Sequence, residues 1–193
     1  FNSIYGETLV EPEIKLPSNC ACMRLPGTDG KAKMSKSLGN CIYLSDTAED
    51  LRKKVMSMYT DPNHIRVEDP GCIEGNCVFT YLDAFSRPEH FAAYLPDYAS
   101  LDELKAHYQR GGLGDVKVKK FLYAVLQEML EPIRARRKEY EQDIEGVYEI
   151  LKKGCEVARA EAAETLDMVR RAMKINYFED TELIRQQSEM YKS

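Results

Sequence analysis

Residues 115–141 read DVKVKKFLYAVLQEMLEPIRARRKEYE, and this stretch decides the fold class. Val118, Phe121, Leu122, Val125, Leu126, Met129, Leu130 and Ile133 fall three and four apart, so they form one apolar stripe on a long helix. Pro132 lies inside the run and is expected to kink it, because proline lacks the amide that the preceding turn needs. Downstream, Asp143 starts another helix, which Gly154 is expected to stop. A further helix is expected from Cys155 to about Lys174, with Cys155, Ala158, Ala162, Leu166, Val169 and Met173 on one face as bundle core. In the polar tail 176–193, Leu183, Ile184, Gln187 and Tyr191 align on one amphipathic helix.

Upstream the pattern is also helical. Asp46 with Glu49 makes an N-cap signature, and Leu51, Val55, Met58 and Tyr59 repeat at helical spacing until Thr60-Asp61-Pro62 ends the run. Residues 63–75 are a polar loop. A helix follows over Cys77 to Phe85 and a short one over Glu89 to Tyr94. Ser100 then caps a helix in which Leu101, Leu104 and Tyr108 share a face, ended by Gly111-Gly112. The predicted fold is therefore mainly α, a helical bundle.

Before residue 46 the chain is different. Prolines 12, 17 and 26 and several glycines punctuate short extended stretches at Leu9 to Leu16, Cys20 to Leu25 and Ile42 to Leu44. So few strand residues cannot bury a sheet, so they look like the ragged end of an α/β domain. Within this stretch, residues 33–37 read Lys-Met-Ser-Lys-Ser, flanked by Gly27, Gly30 and Gly39. Two flexible ammonium groups on a glycine-flanked loop can engage different phosphate oxygens as charge builds on a leaving pyrophosphate, and then release it. Ser35 and Ser37 add hydroxyl donors without bulk. At average residue usage the pentapeptide should arise by chance about once in ten thousand chains of this length.

The pentapeptide resembles the second signature of class I aminoacyl-tRNA synthetases, and LPGTDGKAKMSKSLGN over Leu25 to Asn40 resembles its bacterial tryptophanyl form. The similarity extends over about Phe1 to Ile175, through Met58-Tyr59-Thr60-Asp61, Gly112-x-Gly114-x-x-Lys117, Leu130-Glu131-Pro132-Ile133-Arg134 and Gly154-Cys155-Glu156-x-Ala158-Arg159. The resemblance implies that residues 1–45 end a class I nucleotide-binding fold, 46–175 form an anticodon-binding helical domain and 176–193 are a C-terminal tail. It further implies that Lys33 and Lys36 are catalytic phosphate ligands. Met34, Ser35 and Ser37 would bind ATP, with Met34 near the adenine. Asp61, Arg66 and Lys117 become candidates for contacting tRNA(Trp). ATP, Mg²⁺ and tryptophan are the expected partners of the intact enzyme, a cytoplasmic homodimer.

Several features limit this reading. Class I synthetases also need an H-x-G-H signature, and the histidines here, His64, His90 and His107, do not form one; each is expected to be a surface or loop residue. The chain is thus expected to be a carboxy-terminal half, inactive alone. A free-standing tRNA-binding module, or a helical protein with an accidental loop match, are the rival readings; an upstream reading frame carrying H-x-G-H discriminates them. The net charge of −5 argues against nucleic-acid binding through bulk charge, leaving only local basic clusters. No apolar run is long enough for a membrane span, and the start has no signal-peptide pattern. The six cysteines, at 20, 22, 41, 72, 77 and 155, lack metal-ligand spacing and are expected to be free, partly buried thiols. Some tryptophanyl synthetases hold an iron–sulfur cluster through G-x-G-C-x-x-C. Here Asp115 and Val118 stand at the cysteine positions, so neither cluster nor zinc is expected. With no opposite cleft wall on this chain, Gly27 to Asn40 are expected to be among its least ordered stretches.

Overall fold

The structure is a computed structural model that describes residues 1–19 and 23–192. Among these residues the helices run in order as α1 (Asn2–Tyr5), α2 (Ala48–Met56), α3 (Cys77–Phe85), α4 (Pro88–Tyr94), α5 (Leu101–Arg110), α6 (Asp115–Gln142), α7 (Ile144–Ala172) and α8 (Thr181–Met190). The chain separates into two compact units, Leu16–Glu141 and the pair Phe1–Lys15 with Gln142–Ser193.

The core lies in Leu16–Glu141. Leu51 and Val55 of α2, Val78, Phe79 and Leu82 of α3, and Leu104 and Tyr108 of α5 are almost fully buried against the α6 stripe of Val118, Phe121, Leu122, Val125, Leu126 and Leu130. Burying each large apolar side chain contributes about 1.5–3 kcal/mol, which makes α6 the spine of this unit. Its Phe121 ring meets Phe91 of α4 at 4.7 Å between centroids. The stripe ends on a charge: buried Arg134 donates to the Asp46 carbonyl at 3.1 Å and pairs with Glu131 at 2.6 Å. Helix α6 is continuous through Pro132.

Local chemistry explains the helix starts. Thr47 caps α2 by accepting from the Asp50 amide at 3.1 Å, and Asn76 caps α3 by accepting from Val78 at 3.1 Å. Asp46, expected to be the α2 cap, lies one residue too early; it accepts from the Tyr43 amide at 2.8 Å and pairs with Lys54 at 2.6 Å. His90 is neither a surface nor a loop residue. Its buried ring sits in the first turn of α4, where Nδ1 accepts from the Arg87 amide at 3.0 Å.

Three further expectations change. Among the described residues the extended stretches form no strand, and the one ladder contact is an isolated bridge between Pro26 and Lys33. An edge segment without neighbouring strands has nothing to pair with. Part of the predicted stretch Cys20 to Leu25, including both Cys20 and Cys22, lies outside the described residues. Gly154 does not stop a helix: α7 runs through it from the Asp143 cap, which accepts from Gly146 at 2.9 Å. An interior glycine costs about 1 kcal/mol relative to alanine, too little to break a helix of this length. The predicted core face of α7 buries none of its residues. Helix α8, capped by Asp180 accepting from Leu183 at 2.9 Å, matches the predicted tail helix.

Candidate functional site

The Lys-Met-Ser-Lys-Ser loop stands on a tied base. Gly27 donates to the Ala32 carbonyl at 2.7 Å beside the Pro26–Lys33 bridge, closing a turn in which Gly30 takes φ 68°. The Tyr59 side chain lies close against that turn, where a Cβ on residue 30 would come within 2.6 Å of it. Glycine meets both demands, the left-handed backbone and the close ring. The base is fixed to the bundle by the Tyr81 hydroxyl, which donates to the Pro26 carbonyl at 2.8 Å, and by Tyr59 N–H on the Thr28 carbonyl at 2.9 Å. Burial pushes the Tyr81 phenol well above its ordinary range, so it remains a donor throughout physiological pH.

Above this base the loop opens outward. Residues Lys36–Leu38 form one 3₁₀ turn, ended by Gly39 at φ 67°. Lys33, Lys36 and Ser37 are exposed, and the Ser35 and Ser37 hydroxyls lie 2.9 Å apart. Neither Lys33 nor Lys36 has a carboxylate partner among the described residues. Met34 lines an apolar hollow of about 140 Å³ with Leu25, Ile42, Tyr81, Phe85 and Leu126. Within Gly27 to Asn40, Asn40 is buried and hydrogen-bonded, while Lys31, Lys33 and residues 36–39 are exposed.

A second feature lies on the same unit. A groove of about 550 Å³ is lined by His64, Arg66, Val67, Asp115, Lys117 and Lys120, among others. It brings together two of the sequence candidates, Arg66 and Lys117. Lys117 is not free, since it bonds Asp97 at 2.7 Å, which holds its ammonium above the usual lysine range, and lies over the Tyr98 ring at 5.3 Å. Asp61 does not line the groove. Its two carboxylate oxygens accept from the amides of Asn63 at 2.9 Å and Cys72 at 2.8 Å, so it staples the loop that carries Arg66. Those two N–H groups hold its carboxyl below the ordinary aspartate range.

The groove floor was not visible in the sequence. Asp115 accepts from the Tyr108 hydroxyl at 2.7 Å and the Thr60 hydroxyl at 2.9 Å, and His64 Nδ1 lies 3.4 Å from it. Burial first, then the Asp115 bond, pushes the Tyr108 phenol far above its ordinary range. His64 is a loop residue as expected but not a surface one, since its side chain is 2% exposed and Nε2 has no partner among the described residues. The signal that could have found this floor was Asp115 at the first position of the long helix, where its carboxylate also meets the positive helix end. Of the cysteines, Cys41 and Cys77 are buried and Cys72 and Cys155 exposed, all as free thiols.

With this geometry in hand, comparison with known proteins gives a consistent result. The family model for class I tRNA synthetases (W and Y) matches residues 6–131. The tryptophan–tRNA ligase of Clostridium longisporum is 61% identical over 179 residues, 92% of this chain and 50% of that protein. That of Streptococcus mutans is 60% identical over 179 residues, 92% of this chain and 51% of that protein. The chain spans about half the length of these curated relatives and matches their carboxy-terminal half. Among solved structures, tryptophanyl-tRNA synthetase from Campylobacter jejuni complexed with ADP and tryptophan aligns with a TM-score of 0.64 at 27% identity, covering 90% of this chain and 50% of that one. A second structure of the Campylobacter jejuni protein gives a TM-score of 0.63 at 26% identity.

Proposed function

The chain belongs to the class I tRNA synthetases of the tryptophan and tyrosine type, and from that premise we propose that it is the carboxy-terminal half of a tryptophan–tRNA ligase. The intact enzyme activates tryptophan with ATP and transfers it to tRNA(Trp). In this reading the amino-acid carboxylate attacks ATP's α-phosphorus and pyrophosphate leaves in line. Lys33 and Lys36 meet the β- and γ-phosphates, and their worth is greatest as negative charge grows on the departing oxygens. Ser35 and Ser37 bond phosphate oxygens or shape the loop, while Met34 packs at the nucleotide side. Mg²⁺ travels with the phosphates and supplies charge there; no group of three His, Cys, Asp or Glu is gathered for a metal among this chain's described residues. Arg66 and Lys117 meet tRNA backbone phosphates along their groove, and Asp61 bonds an anticodon base edge or keeps Arg66 in place.

The observation that supports the reading most is the exposed pair Lys33 and Lys36, without carboxylate partners among the described residues, on a loop whose base is bonded to the bundle. Residues 1–45 then end the nucleotide-binding domain, 46–175 bind tRNA and 176–193 form the tail of a homodimeric cytoplasmic enzyme. The test joins this chain to the preceding half of the Clostridium longisporum relative and measures tryptophan-dependent ATP–pyrophosphate exchange. Exchange by the joined protein, and none by the 193-residue chain alone, is the expected pair of results. A joined, folded protein that binds tRNA(Trp) but never exchanges pyrophosphate points instead to a non-catalytic tRNA-binding module.

A further inference from the structure

Asn40 is the most connected side chain of the loop region, although it lies outside the Lys-Met-Ser-Lys-Ser motif. It is 3% exposed, which is unusual for an asparagine on a surface loop. Its Oδ1 accepts from the Ser35 amide at 2.8 Å. Its Nδ2 donates to Asp29 Oδ1 at 3.1 Å and approaches the Lys33 carbonyl at 3.4 Å. Its own carbonyl accepts from the Thr28 amide at 3.0 Å. One residue therefore bonds the arm that leads into the motif, the motif's centre and the turn below it.

The surroundings are shaped for this amide. A Cβ at Gly27 would stand 2.1 Å from Asn40 Nδ2, so the absence of a side chain at residue 27 makes the space that the amide fills. Asp29 faces it with one carboxylate oxygen, which also accepts from the Lys31 amide at 3.2 Å. The Asn40 bond first, and that amide second, hold the Asp29 carboxyl below the usual aspartate range. An asparagine is the residue that can accept from a backbone N–H on one side and donate to a carboxylate on the other. Aspartate has the same shape and lacks the donor.

We propose that Asn40 and Asp29 are positioning residues for catalysis: their hydrogen-bonded pair pins the arms of the loop together and sets where Lys33 and Lys36 are presented to the leaving pyrophosphate. The proposal rests on the pyrophosphate-gripping reading of the loop. A misplacement of about 1 Å in a charge-stabilising group costs on the order of a hundredfold in rate, and a slack loop also has to be ordered at each turnover.

The test uses the joined protein described above, with ATP–pyrophosphate exchange read as kcat and KM. Asn40→Asp keeps the acceptor for Ser35 but sets oxygen against the Asp29 carboxylate. It is expected to lower kcat by about a hundredfold and leave the KM for tryptophan unchanged. Asp29→Asn keeps an acceptor for the Asn40 amide and is expected to lose less. The exchanged pair Asp29→Asn with Asn40→Asp restores a donor facing a carboxylate, in the reverse direction, but sets that NH2 against the Lys31 amide and leaves the Lys33 carbonyl without its donor, so it is expected to recover part of the loss and not all of it. Gly27→Ala, which puts a methyl group into the Asn40 amide, is expected to lower kcat in the same way. An Asn40→Asp protein within twofold of the parent, or an exchanged pair no better than Asn40→Asp alone, overturns the proposal. Should Asn40→Asp fail to fold, Gly27→Ala and the exchanged pair carry the test, and kcat at the parent level in Gly27→Ala overturns it. Lys33→Ala and Lys36→Ala separate the two levels of inference. If both lower kcat while Asn40→Asp does not, the pin alone fails; if neither does, the loop reading fails and takes the pin with it.

Discussion

Helices α6 and α7 have nearly the same length, 28 and 29 residues, and each carries an apolar stripe, yet α6 buries seven residues and α7 none. The difference is in the company each keeps. The stripe of α6 shares one core with α2, α3, α4 and α5, all contributed by the same compact unit and each placing large apolar side chains in that core. Leu151, Val157, Leu166 and Met173 of the α7 region are solvent-exposed in this chain. Periodicity identifies the face of a helix that is fit for burial, while burial itself depends on what is packed against that face. The Lys-Met-Ser-Lys-Ser loop and the groove of Arg66 and Lys117 both belong to the unit with the packed core, so both are held by α6 and its partners.

Substitution on the two stripes gives the largest contrast. Phe121→Ala is expected to cost about 3–5 kcal/mol of unfolding free energy, and Leu166→Ala no more than about 0.5 kcal/mol, as measured by urea denaturation of the chain. A cost above about 2 kcal/mol at Leu166 breaks the comparison. Thiol labelling sharpens it. Cys77, buried with its Sγ on the Tyr59 carbonyl at 3.0 Å and its pKa raised by burial, should react only on unfolding, whereas exposed Cys155 of α7 should react at once. Peptide mass spectrometry after timed alkylation reads both. A smaller effect comes from acid. The Asp61 carboxyl sits below its ordinary value of 3.8 because the Asn63 and Cys72 amides bond its charged form. The unfolded chain therefore takes up this proton at higher pH than the folded one. The stabilisation is full above pH 3.8 and is lost as the pH falls through the lower folded value. Asp61→Asn is expected to flatten that part of the acid-unfolding curve, and an unchanged slope there counts against the staple.

Much of the bundle was legible because its signals are local. Ser100 before a helix in which Leu101, Leu104 and Tyr108 share a face, and the stripe from Val118 to Leu130, each depend on neighbours in sequence. What escaped was set by side-chain pairings and energy balances that the pattern alone does not rank. Asp46 and Thr47 both offer a capping oxygen, and the choice falls to Thr47 because Lys54 and the Tyr43 amide engage Asp46. Gly154 reads as a stop, but a glycine costs too little to end a long helix already nucleated on both sides. The loop lysines were visible as a motif, whereas Asn40 was not. Its connections arise from being buried against Asp29, Ser35 and Lys33, which no spacing rule encodes. His64 and Asp115 met in the groove for the same reason, across 51 positions of sequence.

Lys33 and Lys36 are proposed to stabilise the pyrophosphate that leaves as tryptophan is activated. The most direct test of that role is single-turnover formation of tryptophanyl-adenylate by the joined protein, comparing Lys33→Ala and Lys36→Ala with the parent. Each is expected to slow the chemical step by about a hundredfold to a thousandfold while tryptophan affinity stays within twofold. An unchanged rate of adenylate formation in both variants contradicts the account.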